Sequence, residues 1–194
     1  MATNREALQN NSWIDSSTLP ESIQYDFETL WDIHPENYNQ VKILGKVIDT
    51  PRWQQTYGRS YNYTGMEHEA LPMPQQLQPF LEYAQTLYPD FTFNQILINW
   101  YQNGLHYIGA HSDNTKPLVK DSPIVSISLG QERLFRIKDK QTKTTIKDII
   151  LKDKTVITMG GAFQTYYTHE VPKVTGKKGE QLGRRINITF RCFK

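Results

Sequence analysis

Five histidines stand at positions 34, 68, 106, 111 and 169, and His111 opens a His-x-Asp triplet, His111-Ser112-Asp113. In an extended strand, side chains two residues apart share a face, so this imidazole and carboxylate can grip one cation together. A third donor must come from elsewhere. His169, in a second strand-like stretch, completes a two-His-one-carboxylate set, which leaves open positions suited to Fe(II) and oxygen chemistry. The triplet alone is a weak signal and reads equally as a surface turn. His34 and His68 lie in polar or Pro-flanked segments and read as surface residues, and His106 as a turn residue or an entrance residue.

The C-terminal stretch Arg185–Phe193 places Arg185, Asn187, Thr189 and Arg191 on one strand face and Ile186, Ile188, Phe190 and Cys192 on the other. Turned to water, the polar face makes an ordinary amphipathic edge strand. Turned into a barrel mouth, its two guanidiniums require acidic partners, and a dicarboxylate held by planar, bidentate contacts would supply them. Cys192 falls on the apolar side, as an inert core thiol.

The elements that must position these residues are mostly strands. The pattern predicts them over 41–48, 91–101, 124–129, 133–137, 144–151, 155–159, 163–169 and 185–193. Helices are predicted over 21–31, ended by His34-Pro35, and over 74–88, with Leu77, Leu81, Ala84 and Tyr88 on one face. Many short strands, with helices confined to the first half, argue for a double-sheet β fold carrying helices on its outside. Residues 1–17, polar and rich in Asn and Ser, read as a flexible arm ahead of a single domain over 18–194.

The 194 residues are 38% hydrophobic and 22% charged, with a net charge of +2, which excludes a disordered polymer. No apolar run approaches the roughly 20 residues of a spanning helix. One cysteine excludes an internal disulfide framework, and the N-terminus lacks a secretory apolar segment, so an intracellular location in nucleus or cytoplasm is expected. The charge permits a nucleic-acid partner without implying one.

A family resemblance is carried by Asn99-Trp-Tyr101-Gln-Asn-Gly104 leading to Ile108-Gly109-Ala-His111-Ser-Asp113, then Pro123-Ile-Val-Ser126-Ile-Ser128-Leu-Gly130, Met159-Gly160, His169-Glu-Val-Pro172 and Arg185-x-Asn187-x-Thr189-Phe-Arg191. In that order these motifs resemble the AlkB-type 2-oxoglutarate- and Fe(II)-dependent dioxygenases. Thr50-Pro51-Arg52-Trp-Gln54-Gln-Thr56-Tyr57-Gly58 is most similar to the nucleic-acid demethylases of the animal DNA-repair branch. The resemblance implies a double-stranded β-helix (jelly roll, cupin-like), with a nucleotide-recognition lid and helices over 41–90 and a jelly-roll core over 91–194. It implies that His111, Asp113 and His169 ligate Fe(II) and that Asn99, Tyr101, Arg185, Asn187, Thr189 and Arg191 hold 2-oxoglutarate, with O2 as the second co-substrate. The activity implied is oxidative demethylation of N-alkylated bases such as 1-methyladenine and 3-methylcytosine in DNA or RNA, releasing formaldehyde, succinate and CO2.

The substrate layer implied by the resemblance is an intercalating finger at Leu44, Gly45 and Lys46, a lid at Tyr61 and Tyr63, and Asn114 beside the metal. A flipped base needs such a pocket because its target atom is buried in a duplex. Arg52, Lys138–Lys143 and Lys173–Lys178 are candidate phosphate contacts, each otherwise a solvated cluster. The segment 174–183 reads as a long flexible insertion with a basic tip. Thr115 stands where many demethylases carry an acidic residue, which leaves the choice of base open. Two further readings stay in play for a chain expected to act as a monomer: an oxygenase acting on a protein or small molecule, and a non-catalytic nucleic-acid-binding jelly roll.

Overall fold

The computed structural model describes residues 4–43, 45–63 and 66–194. In chain order the elements are β1 (Asn4–Ala7), β2 (Ser12–Thr18), α1 (Phe27–Asp32), β3 (Gln40–Ile43), β4 (Lys46–Asp49), β5 (Trp53–Tyr57), β6 (Tyr61–Tyr63), β7 (Met66–His68) and β8 (Ala70–Leu71). A 3-10 turn, Gln75–Leu77, then runs into α2 (Gln78–Leu87), followed by β9 (Gln95–Tyr101), β10 (Ile108–His111), β11 (Ile124–Gly130), β12 (Arg133–Asp139), β13 (Thr145–Leu151) and β14 (Thr155–Gly161). The chain closes with α3 (Phe163–Tyr166), β15 (Tyr167–Val171), α4 (Gly176–Glu180) and β16 (Arg185–Arg191).

A major sheet runs β1-β2-β14-β11-β16-β9-β5-β8 and a minor sheet β10-β15-β12-β13, with β3-β4 and β6-β7 as separate hairpins. Strand periodicity explains the layering. On β9, β11 and β16 the residues Ile96, Ile98, Trp100, Val125, Ile127, Leu129, Ile186, Ile188 and Phe190 point to a core shared with Leu30, Trp31, Phe80 and Ala84 of the helices. On the opposite face Tyr101, Ile124, Ile157 and Met159 pack with Phe135, Ile137, Tyr167 and Val171 of the minor sheet and its approach. The order is therefore helices, major sheet, minor sheet, and the polar alternates of the central strands look into the space between sheets.

Several expectations are corrected. Residues 4–18 are not a loose arm: β2 pairs with β14 from Thr18↔Thr155 to Ser12↔Gly161. Asn10 and Asn11 turn the β1–β2 hairpin at φ 58° and 55°, a left-handed geometry that asparagine tolerates, which is why an Asn-rich stretch is ordered here. Trp13 lies over Gly160, where a Cβ would come within 2.0 Å of the indole. The first helix starts only at Phe27, because the Asp26 carboxylate accepts from the Thr29 N–H at 2.8 Å and caps it. The strand expected over 41–48 is a hairpin bent at Gly45, φ +79°. The strand expected over 163–169 begins instead as the helical turn α3. The 174–183 insertion is docked: the Gly104 N–H donates to Gly179 O at 2.8 Å and the Val174 N–H to Gly104 O at 2.9 Å.

Candidate functional site

β10 and β15 pair antiparallel with His111 opposite His169, which brings the two rings to 4.3 Å between centroids. His111 Nδ1 lies 2.8 Å from Gly109 O, and because a carbonyl only accepts, the proton sits on Nδ1 and Nε2 keeps its lone pair. His169 is buried against Phe135 and Phe163, and its Nδ1 has no hydrogen-bond partner among the described residues. Burial, with the neighbouring His111 adding to it, pushes His169 down to about 3. Burial lowers His111 as well. Both rings are thus neutral donors near pH 7.

Asp113 does not lie on the strand with His111, since β10 ends at His111; the strand-face argument places only one of the pair. Its position comes from side-chain ties. The Asp113 N–H donates to Gln164 Oε1 at 2.8 Å, Ser112 Oγ donates to Tyr167 O at 2.8 Å, and Arg191 Nη2 donates to Asp113 Oδ1 at 2.7 Å. Burial alone would raise the carboxyl, but the Arg191 guanidinium beside it is the largest opposing influence, and Asp113 is held below the usual carboxylate range. Oδ2 is buried with no hydrogen-bond partner among the described residues. Two neutral imidazoles, an ionised carboxylate and an orphaned oxygen fit a divalent metal by donor chemistry. The fit stops short of a closed cage: among the described residues no three His, Cys, Asp or Glu side chains already stand in a ligating array.

The opposite wall of the same pocket is cationic and polar, with Asn99, Tyr101, Asn187, Thr189 and Arg191 on it. Arg185 lies behind this surface, fully buried. Its Nη2 donates to Ser128 Oγ at 2.9 Å and Asn187 Oδ1 at 3.0 Å, and its guanidinium carbon sits 4.9 Å from the Tyr101 ring centroid. Arg185 Nε and Nη1 have no hydrogen-bond acceptor among the described residues. Burial lowers its pKa, yet among the described residues no carboxylate pairs with it, which is the condition an anionic ligand would relieve. Arg191 also donates from Nη1 to Gln95 Oε1 at 3.0 Å, and Asn187 Nδ2 donates to Ser126 Oγ at 2.9 Å and Thr189 Oγ1 at 3.2 Å. The choice between water and barrel mouth is therefore decided: the polar face of the last strand looks inward.

Arg52 corrects its expected role. It is 4% exposed and donates to Asn99 Oδ1 at 2.6 Å, Gln54 Oε1 at 2.9 Å and Tyr107 O at 3.3 Å, so it has no reach to a phosphate. Lys138 is paired with Glu170 at 2.7 Å, and Lys140 donates to Gln164 O at 3.2 Å. His34 is half-buried, stacked on Trp53 at 4.4 Å, rather than a free surface residue. His106 accepts from the Gln102 N–H at 3.2 Å and lies 3.3 Å from the Tyr38 hydroxyl, as a turn histidine would.

The substrate-side expectations are placed only in part. Leu44 lies outside the described residues, as do the side chains of Tyr61, Tyr63 and His68. Gly45 and Lys46 are exposed on the β3–β4 hairpin, and Asn114 is exposed beside Asp113 with its Oδ1 accepting from the Lys116 N–H at 3.1 Å. A second cavity of about 240 Å³ lies between that hairpin and His111, walled by Val41, Ile48, Pro51 and Ile108.

Gln54, Gln95, Ser126, Ser128 and Gln164 were missed as site residues. The serines carried a signal, the alternation Ser126-Ile127-Ser128, and the structure sets them opposite Thr189-Ile188-Asn187. Gln164 carried none, because it sits on a helical turn where no period applies.

Residues 16–191 match the profile of the 2OG-Fe(II) oxygenase superfamily. The human DNA oxidative demethylase ALKBH2 is 30% identical over 162 residues, 78% of this chain and 60% of that protein. The mouse protein of the same name is 31% identical over 165 residues, 78% of this chain and 66% of its own. The Escherichia coli alpha-ketoglutarate-dependent dioxygenase AlkB is 31% identical over 121 residues, 61% of this chain and 55% of that one. The chain thus spans less than two thirds of the length of these relatives. A solved structure titled "The structure of OsALKBH1" superposes with a TM-score of 0.60 at 16% identity, over 97% of this chain and 99% of that chain, a likeness of fold.

Proposed function

The chain belongs to the 2OG-Fe(II) oxygenase superfamily, adopts its jelly-roll fold, and from that premise we propose that it is a dioxygenase that oxidatively demethylates N-alkylated bases in DNA or RNA. The lesions envisaged are of the 1-methyladenine and 3-methylcytosine type. The observation that carries the reading is the meeting, in one pocket, of a neutral imidazole pair and an ionised carboxylate with a wall built around Arg185, whose Nε and Nη1 have no acceptor among the described residues.

His111, Asp113 and His169 would hold Fe(II), and Asn99, Tyr101, Arg185, Asn187, Thr189 and Arg191 would hold 2-oxoglutarate. Bound there, iron and the keto diacid with O2 supply the oxidising capacity: the methyl carbon gains oxygen and leaves as formaldehyde, while the diacid becomes succinate and CO2. The protein's own part is electrostatic and steric. Arg185 offers Nε and Nη1 to a carboxylate in a site where water cannot compete, which strengthens the contact. Phe135, Phe163 and Val171 keep water from the imidazole side. Arg191 touches the carboxylate of Asp113 and lines the cradle wall, so it links the two halves. The nucleic-acid substrate is supported by the relatives' names, and Leu44, Gly45, Lys46, Tyr61, Tyr63 and Asn114 are the residues proposed to meet it.

The test is formaldehyde release from methylated single- and double-stranded DNA and RNA, with Fe(II) and 2-oxoglutarate present. Release from at least one of these, abolished in His111→Ala, is expected. Co-substrate turnover stimulated by protein extract and by none of the nucleic acids would move the substrate assignment to protein, and full activity in His111→Ala would end the iron assignment.

A further inference from the structure

Arg52 brings its guanidinium into the interior and, among the described residues, meets no carboxylate there. What it meets is two side-chain amides, through Asn99 Oδ1 and Gln54 Oε1, and one backbone carbonyl, Tyr107 O. A guanidinium has only donors, so each amide is obliged to turn its oxygen to Arg52 and its –NH2 away from it. That assignment follows from chemistry, where an isolated amide leaves oxygen and nitrogen interchangeable. Asn99 and Gln54 both line the pocket that holds His111, Asp113 and Arg191. They are cross-strand partners on β9 and β5, so their amides are neighbours. Among the described residues neither –NH2 donates to another protein group.

We propose that Arg52 is a positioning residue that locks the Asn99 and Gln54 amides with their –NH2 groups toward the pocket, so that this wall presents donors only and selects an anionic, acceptor-rich keto acid. With Arg52 absent, either amide is free to flip and set a carbonyl oxygen against the ligand's carboxylate, a repulsive contact in place of an attractive one. The inference rests on the co-substrate reading above and adds to it a residue that touches neither metal nor co-substrate.

Arg52→Met and Arg52→Lys test it, with 2-oxoglutarate binding to the Mn(II)-loaded protein measured by calorimetry beside Mn(II) affinity measured without co-substrate. Arg52→Met is expected to weaken 2-oxoglutarate binding about tenfold or more, the worth of a misdirected hydrogen bond to a charged group. Mn(II) affinity is expected not to fall, because Arg52 donates to no metal donor and removing its charge cannot disfavour a cation. Arg52→Lys keeps the charge but not the fork that engages both amides, so it is expected to lose co-substrate affinity as well, and it decides the matter if Arg52→Met does not fold. In the Arg52→Met background, Asn99→Ala is expected to cost much less than in the parent, since the amide is no longer aimed. Unchanged co-substrate affinity in the folded variants, or full additivity of the double variant, overturns the proposal. A parent protein that binds no 2-oxoglutarate at all would instead defeat the function on which the proposal rests.

Discussion

The two walls of the pocket follow opposite rules. On the minor-sheet wall, His111 and His169 are placed by strand pairing and kept among apolar side chains, and His169 Nδ1 makes no hydrogen bond to a described residue. On the major-sheet wall, Arg185, Asn187 and Thr189 are joined by one hydrogen-bond network, and Asn99 and Gln54 by another through Arg52. The difference follows from what each wall would do. Metal donors need free lone pairs, and an apolar setting keeps imidazole neutral. An anion cradle needs cations that stay charged inside the protein, and only neutral polar partners can hold them without quenching the charge. Asp113 belongs to neither wall and is tied to both, to Arg191 on one side and to Gln164 on the other.

The sharpest way to break the comparison is to remove one wall at a time. Arg185→Met is expected to weaken 2-oxoglutarate binding more than about a hundredfold, through loss of a charge-assisted pair, while Mn(II) binding persists. His169→Ala is expected to do the reverse for the metal. Calorimetry of both ligands on both variants checks this, and loss of metal binding in Arg185→Met would show that the walls are not separable. Gln164→Met probes the residue between them. It keeps the volume but removes the acceptor for the Asp113 N–H, so Mn(II) affinity is expected to fall about tenfold, as one buried hydrogen bond allows.

Behind the major wall, burial pushes the Cys192 thiol up from 9.0 to about 12. Its folded value lies above its unfolded one, so its contribution is whole below pH 9 and is lost as pH rises toward 12. Cys192→Ala is expected to flatten the fall in unfolding free energy between pH 8 and 10.5, measured by chemical denaturation, by at most about 1.4 kcal/mol for each pH unit above the unfolded value. The smallest effect is expected on the outer face of the minor sheet. Arg136 and Asp148 pair at 2.8 Å in solvent, so Asp148→Asn should leave the midpoint of chemical denaturation essentially unchanged.

The strands of the major-sheet wall, with β12 and β13 of the minor sheet, were legible because they are long: β9, β11, β12, β13 and β16 appear close to where the pattern puts them. Shorter elements were not. β10 is four residues long and β5 is five, with no alternation that separates them from loop. The order in 4–18 was hidden because its strands are polar, and the partner that satisfies Asp15, Arg5 at 3.1 Å, is supplied by pairing with β1.

Residue identity therefore determined which groups the proposed site has to offer: two imidazoles, one carboxylate, and a strand whose alternate positions carry two guanidiniums. Those are local properties, fixed by side-chain chemistry and the two-residue period of a strand. Tertiary structure alone decided that the polar face of β16 looks inward, that Asp113 is held from a helical turn 51 residues away in sequence, and that Arg52 serves two amides instead of solvent. Such outcomes depend on which strands become neighbours and how deeply each cation is buried, and no window of sequence contains that information.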